Sequence, residues 1–147
     1  MKRQTTARAF GSLALAAMAL IGPAHAQAET AAPGISIELN STVEGDNACR
    51  LVFMVENKLS ADVQSAVFET VLFTTDGVVE RLTLFDFQTL PQGTPRVRQF
   101  DLGGLSCSNL GRVLFNGVQT CTAAQLSPEA CGTDLKVTSR TDVEVLG

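Results

Sequence analysis

The sequence predicts an all-β fold, a sandwich or barrel of about seven short strands in a single domain. From Ile35 onward, apolar and β-branched runs alternate at short spacing with glycine, proline, asparagine and aspartate, which is typical of such folds. Four cysteines in a chain that opens with an export signal indicate a disulfide framework. About 120 residues follow that signal, enough for one hydrophobic core.

The amino terminus has the order of segments found in a secretory signal peptide. Three basic residues precede an apolar run from Leu13 to Ile21, and small residues lead to a predicted cleavage site after Ala26. The run is too short to anchor the chain across a membrane. We therefore expect a signal peptide at 1–26, a flexible leader at 27–34 and a β-sandwich domain at 35–147, exported to the bacterial periplasm or the extracellular space.

Loss of the signal peptide would change the chemistry of the chain. The single histidine, His25, leaves with it, and eight Lys and Arg then face fifteen Asp and Glu, a formal charge of −7 instead of −4. Such an acidic surface repels nucleic acid and anionic lipid. A nucleophile activated by histidine is excluded, and no nucleophile elbow, phosphate loop or close cysteine pair with metal-ligand spacing occurs. The sequence therefore predicts no catalytic residue, no metal and no cofactor.

Each predicted strand is an apolar run bounded by turn residues. Asp76-Gly77 separates the third and fourth strands, and both residues tolerate the positive φ angles of a two-residue hairpin. The proline- and glycine-rich stretch at 91–95 ends the fourth strand. Asn116-Gly117 in the sixth strand is either a bulge or a tight hairpin, and the sequence leaves both open. The predicted strands are 35–44, 49–57, 65–75, 78–87, 95–102, 112–118 and 135–146.

The second and third strands differ in how their apolar residues alternate. The second strand is apolar on one face and charged on the other, as expected for a strand with one buried and one wet side. The third strand is apolar on both sides, so it is expected at the centre of a sheet, with its second face covered by a loop of this chain or by a partner. Its two faces consist of Val67, Val71 and Phe73 on one side and of Ala66, Phe68 and Leu72 on the other.

Several motifs resemble the FxLYD group of immunoglobulin-like bacterial envelope domains. They are "VEN" at 55–57, the aromatic-rich run "FETVLFTTDGVV" at 68–79, and "LPQG" at 90–93 before the strand "RVRQF" at 96–100. The span from Cys49 to Gly147 is also similar to small exported bacterial proteins. The resemblance implies an immunoglobulin-like β-sandwich, in which the second and fifth strands are antiparallel neighbours.

The four cysteines are Cys49, Cys107, Cys121 and Cys131, and two disulfides are expected. In the immunoglobulin-like arrangement the start of the second strand meets the end of the fifth, which favours Cys49 with Cys107. Cys121 and Cys131 would then close the connection between the last two strands. The main competing pattern joins Cys107 to Cys121, and it is favoured if Asn116-Gly117 is a hairpin.

Carboxylates are the first candidates for a reactive site. Asp86 is expected near a strand end, where aspartate commonly bonds turn backbone. Glu69 with Asp86 or Asp101 could in principle hydrolyse a glycosidic bond, but short strands leave little room for a walled cleft. Turn bonding is therefore the favoured interpretation of Asp86.

Arginines on the fifth strand are the second candidates. Arg96 and Arg98 alternate there, with Arg81 of the fourth strand across from them. A shared arginine face could grip a carboxylate or a phosphate with paired hydrogen bonds. More commonly such arginines protect a strand edge or pair with surface acids.

The sequence favours a non-enzymatic protein-interaction or structural module of the bacterial envelope, which contacts another envelope protein or itself. The alternative is a small-ligand binder or hydrolase that uses a carboxylate or arginine surface site. An exposed apolar patch would favour the module, and a pocket with convergent polar groups would favour the alternative. The expected surface residues of the module are Val52, Met54, Phe68, Leu72, Arg96 and Arg98.

Overall fold

The structure, a computed structural model, describes residues 33–147 and contains eight β-strands. The predicted signal peptide and residues 27–32 of the predicted leader lie outside the described residues. The strands are β1 (Ile35–Gly45), β2 (Ala48–Asn57), β3 (Val63–Thr74), β4 (Val79–Leu90), β5 (Arg96–Gly103), β6 (Leu110–Ala123), β7 (Lys136–Ser139) and β8 (Glu144–Leu146).

Two sheets of four strands pack face to face, which confirms the predicted all-β sandwich. Sheet I has the order β5-β2-β1-β7, and sheet II has the order β4-β3-β6-β8. The β2–β5 and β3–β6 pairs are antiparallel, as in an immunoglobulin-like sandwich. The third strand, β3, lies inside its sheet, as its two apolar faces predict.

The prediction for the carboxyl-terminal strand was wrong. The segment 135–146 was expected as one strand, but it forms β7 in sheet I and β8 in sheet II. Both short strands run parallel to their neighbours, β1 and β6. Between them the Ser139 hydroxyl accepts the backbone N–H of Thr141 at 3.1 Å, which turns the chain from one sheet to the other. These short strands form one edge of each sheet, where little unpaired backbone is exposed.

The structure defines the geometry at Asn116-Gly117 and at the predicted Asp76-Gly77 hairpin. Asn116 is an extra residue in β6, because Glu69 pairs with Gly117 while its neighbour Thr70 pairs with Phe115. The Asn116-Gly117 step is therefore a β-bulge, not a hairpin. The β3–β4 hairpin forms as expected, but its turn spans three residues and only Gly77 takes a positive φ, +79°.

The core between the sheets is built around phenylalanine. The ring of Phe53 in β2 lies between 5.8 and 6.1 Å, centroid to centroid, from the rings of Phe85, Phe87, Phe100 and Phe115. Phe85 and Phe100 also stack at 4.3 Å, which joins β4 of one sheet to β5 of the other. These contacts hold the two layers in a fixed relation, because aromatic pairs add to the free energy of burial.

Asn57, at the end of β2, is the fully buried polar residue that connects three segments of this end of the sandwich. Its amide nitrogen donates to the carbonyls of Ala61 and Leu90 at 2.9 and 2.8 Å, and its side-chain oxygen accepts the N–H of Leu59 at 2.9 Å. Its backbone carbonyl accepts the N–H of Gly93 at 2.8 Å. The side chain thus satisfies backbone groups that burial would otherwise leave unpaired.

Candidate functional site

Four of the predicted surface residues are apolar, and they lie in two different environments. Phe68 and Leu72 of β3 are buried, with Phe68 only 1% exposed, because their side of the strand faces the core. Their prediction as surface residues was wrong. Val52 is half-buried, and Met54, 38% exposed, lies on the outer face of sheet I beside Val97.

The other face of β3 points outward. Its residue Val71 belongs to a row of apolar residues that crosses all four strands of sheet II. Val71 of β3 pairs with Leu82 of β4 on one side and with Leu114 of β6 on the other. Leu114 pairs in turn with Leu146 of β8. These four residues, Leu82, Val71, Leu114 and Leu146, are called the apolar row below.

The apolar row is exposed most strongly at β4. Leu82 is 69% exposed and Leu84, two residues on, is 54% exposed, whereas Val71 in the middle of the sheet is 8% exposed. Val79 extends the same face beside Phe73. Single exposed leucines are ordinary on protein surfaces, but a continuous apolar face is typical of contact sites.

A polar notch interrupts this face next to the row. Glu69 of β3 lies between Leu84 of β4 and Gly117 of β6 in the sheet register. A cavity of about 200 Å³ opens there, lined by Glu69, Val71, Leu82, Leu84, Asn116 and backbone neighbours. The Asn116 bulge helps to form this notch, because an inserted residue locally bends and twists its strand.

Arg112 lies at one end of this face and is held in place by two contacts. Arg112 of β6 donates to a carboxylate oxygen of Glu144 at 2.5 Å, and its guanidinium lies 5.7 Å from the ring centroid of Phe73. The ion pair and the cation–π contact hold this cation at the margin of the apolar row.

The arginines of the predicted face bond to backbone carbonyls: Arg98 and Arg81 where β4 and β5 face each other, and Arg96 at its neighbour Pro95, at 3.3 Å. Arg98 donates to the carbonyls of Phe87 and Thr89 at 2.7 and 3.0 Å. Arg81 donates from β4 to the carbonyl of Gly103 at 3.1 Å. These bonds cover the strand edges and join the two sheets, which is the protective role that sequence reasoning gave as the commoner one.

Of the three candidate carboxylates, Glu69 and Asp86 lie in sheet II and Asp101 lies in sheet I. Asp86 accepts the backbone N–H of Gln88 at 2.8 Å, where Gln88 has a φ of +60°, so the expected bond to backbone forms, but inside β4 and not at a strand end or turn. Glu69 and Asp86 lie diagonally on neighbouring strands of sheet II, about 7–8 Å apart between Cα atoms in such geometry. Asp101 lies in sheet I and forms two hydrogen bonds with Arg50, at 2.6 and 3.0 Å.

The Arg50 guanidinium lowers the pKa of Asp101 below its usual value, because it donates hydrogen bonds to the ionised carboxylate and attracts its charge. The stabilising contribution of the pair is therefore present above the unfolded-state value of about 3.9 and lost as the pH falls through the lowered folded-state pKa. We expect Asp101→Asn to unfold at lower urea than the native chain at pH 7, with the difference vanishing as the pH falls from 7 to below the lowered pKa. Urea midpoints measured across that range check this, and a difference that grows on acidification would contradict it.

The structure contains both predicted disulfides, Cys49–Cys107 and Cys121–Cys131.

A cleft of about 560 Å³ lies beside the second disulfide, between β6 and the turns at 128–134. Glu129 is the one titratable side chain among its lining residues, so the cleft does not bring together an acid and a base.

Within residues 33–147, no three acidic, cysteine or histidine side chains are grouped in a way that could hold a metal ion. The same part of the chain contains no helix long and apolar enough to span a membrane.

Sequence reasoning did not single out the exposed leucines Leu82 and Leu84 of β4, although a signal was present. Leu82 and Leu84 alternate with Phe85 and Phe87 across β4, so both sides of that strand are apolar. In the structure the phenylalanines fill the core and the leucines face outward. Two apolar faces on one strand indicate that one of them stays outside the core, although the pattern does not tell which one.

No protein-family model, no curated protein and no solved structure matches this chain significantly.

Proposed function

We propose that the mature chain is a non-enzymatic, exported β-sandwich module that binds another protein of the bacterial envelope through the outer face of sheet II. The observation that carries this proposal is the apolar row, which continues across four strands and is most exposed at Leu82. Burial of such a row by a partner is favourable in proportion to the apolar area removed from water.

Export is supported by the two disulfides, because structural disulfides form and persist in oxidising compartments such as the periplasm. A relationship to the FxLYD group of envelope domains belongs to the same proposal. It is supported by the sandwich of two sheets and by the β3–β4 hairpin at Gly77.

The alternative, a small-ligand or hydrolase site built from carboxylates and arginines, has weaker support. Asp86 is engaged with the backbone of Gln88, and Arg98 with two carbonyls of β4. Glu69 opens on the surface of a sheet, where a bound substrate would stay in contact with water. A protein surface, unlike a small substrate, could cover both the notch and the apolar row.

Site-specific photocrosslinking tests the proposal in the exporting cell. We expect a photoreactive residue at Leu84, in edge strand β4, to give one discrete crosslinked protein. The same residue at Gln99, in edge strand β5 on the outer face of sheet I, should give none. A crosslink from position 99 alone, or none from position 84, would contradict the proposal.

A further inference from the structure

Glu69 is a carboxylate without a local counter-ion in the middle of an apolar face. It lies two residues from Val71 and opposite Leu84 on the neighbouring strand. The ion pairs formed within residues 33–147 use other acidic residues, and none of them includes Glu69. A partner that covers the apolar row would therefore remove this charge from water, which is unfavourable unless the partner supplies a cation.

The shape beside Glu69 suits a long cationic side chain. The notch has Val71, Leu82 and Leu84 as apolar lining residues, with Glu69 and Asn116 among its polar ones. On the β6 side, a Cβ atom added to Gly117 would meet no atom within 4 Å, so space is left next to the carboxylate. Lysine and arginine pack their aliphatic stems on apolar walls while their charged ends reach a polar group.

A second copy of this chain fits the face poorly. A two-fold contact through sheet II would bring Glu69 and Asp86 of both copies into one interface. Arg112, the cation on that face, is already bonded to Glu144 and placed over Phe73. Like charges in an interface disfavour the pairing, so the face selects against self-association.

We propose that the partner is a different protein, which places a lysine or arginine at Glu69 and packs an adjacent apolar side chain on the apolar row. This inference rests on the proposed function and adds the chemistry of the partner. Glu69 is then the residue that selects the partner, and the apolar row supplies most of the contact. Specificity of this kind comes from charge complementarity beside an apolar centre.

The first test repeats the crosslinking from position 84 in the Glu69→Gln background. Gln keeps the size of the side chain and removes its charge, so we expect the crosslink yield to fall about tenfold, as for loss of a charge-assisted hydrogen bond. Glu129→Gln is the matched control, because it removes the same charge from the turns beside β6, and it should leave the yield unchanged. An equal yield from both variants would overturn the inference and leave the proposed function standing. Absence of any crosslink from position 84 would refute the proposed function itself.

The second test uses two blocked peptides, one of alternating leucine and arginine and one of alternating leucine and glutamate, titrated into the isotope-labelled mature protein. We expect the arginine peptide to shift the amide resonances of Glu69, Leu84 and Asn116, and the glutamate peptide to leave them unchanged. In Glu69→Gln the arginine peptide should bind about tenfold more weakly. Equal binding of the two peptides, or shifts confined to sheet I, would overturn the inference.

Discussion

Replacement of both Cys49 and Cys107 by alanine is expected to lower the free energy of unfolding by about 4 kcal/mol, because the bridge closes a long loop. The two residues are 58 positions apart, and the bridge links the start of β2 to the short 3-10 helix Cys107–Asn109 between β5 and β6. Cross-linking such a loop restricts the unfolded chain more than it restricts the folded one. A loss of this size is large beside the total stability of a small domain, roughly 5–15 kcal/mol.

The second disulfide provides the matched comparison. Cys121 and Cys131 are only 10 positions apart, so their double replacement by alanine should cost about 3 kcal/mol, less than loss of the longer bridge. Urea unfolding of both variants under non-reducing conditions measures the two costs. The reverse order would contradict the chain-entropy explanation, and peptide mapping that joins Cys107 to Cys121 would contradict the connectivity.

Asn57→Ala is expected to destabilise the domain by about 4 kcal/mol, because several buried backbone groups lose their partners together. The substitution leaves the N–H of Leu59 and the carbonyls of Ala61 and Leu90 without the hydrogen bonds that Asn57 supplies. Each buried group left unpaired costs about 1–3 kcal/mol. Thermal or urea unfolding measures the loss.

Asn40→Ala is the control for this substitution. Asn40 is exposed at a bulge of β1, and its side chain forms one long hydrogen bond of 3.3 Å to Glu38. We expect this variant to stay within about 0.5 kcal/mol of the native chain. Equal effects of the two substitutions would show that Asn57 does not organise its end of the sandwich.

The strand pattern could be predicted because it depends on local alternation. In β2, one apolar and one charged face identify both the strand and its buried side. In β3 and β4 both faces are apolar, and period-two alternation separates two faces without telling which one meets the core. That is why Phe68 and Leu72 were assigned to the surface while the exposed leucines of β4 were missed.

The remaining differences between the sequence predictions and the structure depend on contacts between residues distant in sequence. The role of Asn57 requires Leu90, which is 33 positions away. The split of the last strand requires β1 and β6 as parallel partners for β7 and β8. The notch at Glu69 requires the bulge in β6, and the dipeptide Asn116-Gly117 is equally typical of a bulge and of a hairpin. Local patterns do not contain this information.

Binding of a partner to the outer face of sheet II is tested most directly by the dissociation constant of that complex. Purified residues 27–147 would be titrated with the protein crosslinked from position 84, comparing Leu82→Ser/Leu84→Ser with Met54→Ser/Val97→Ser, which removes the exposed apolar pair of sheet I. We predict at least a tenfold, roughly 1.4 kcal/mol, loss of affinity for the first variant and less than about a twofold change for the second. Equal losses in the two variants, or a loss confined to the sheet I variant, would contradict the account.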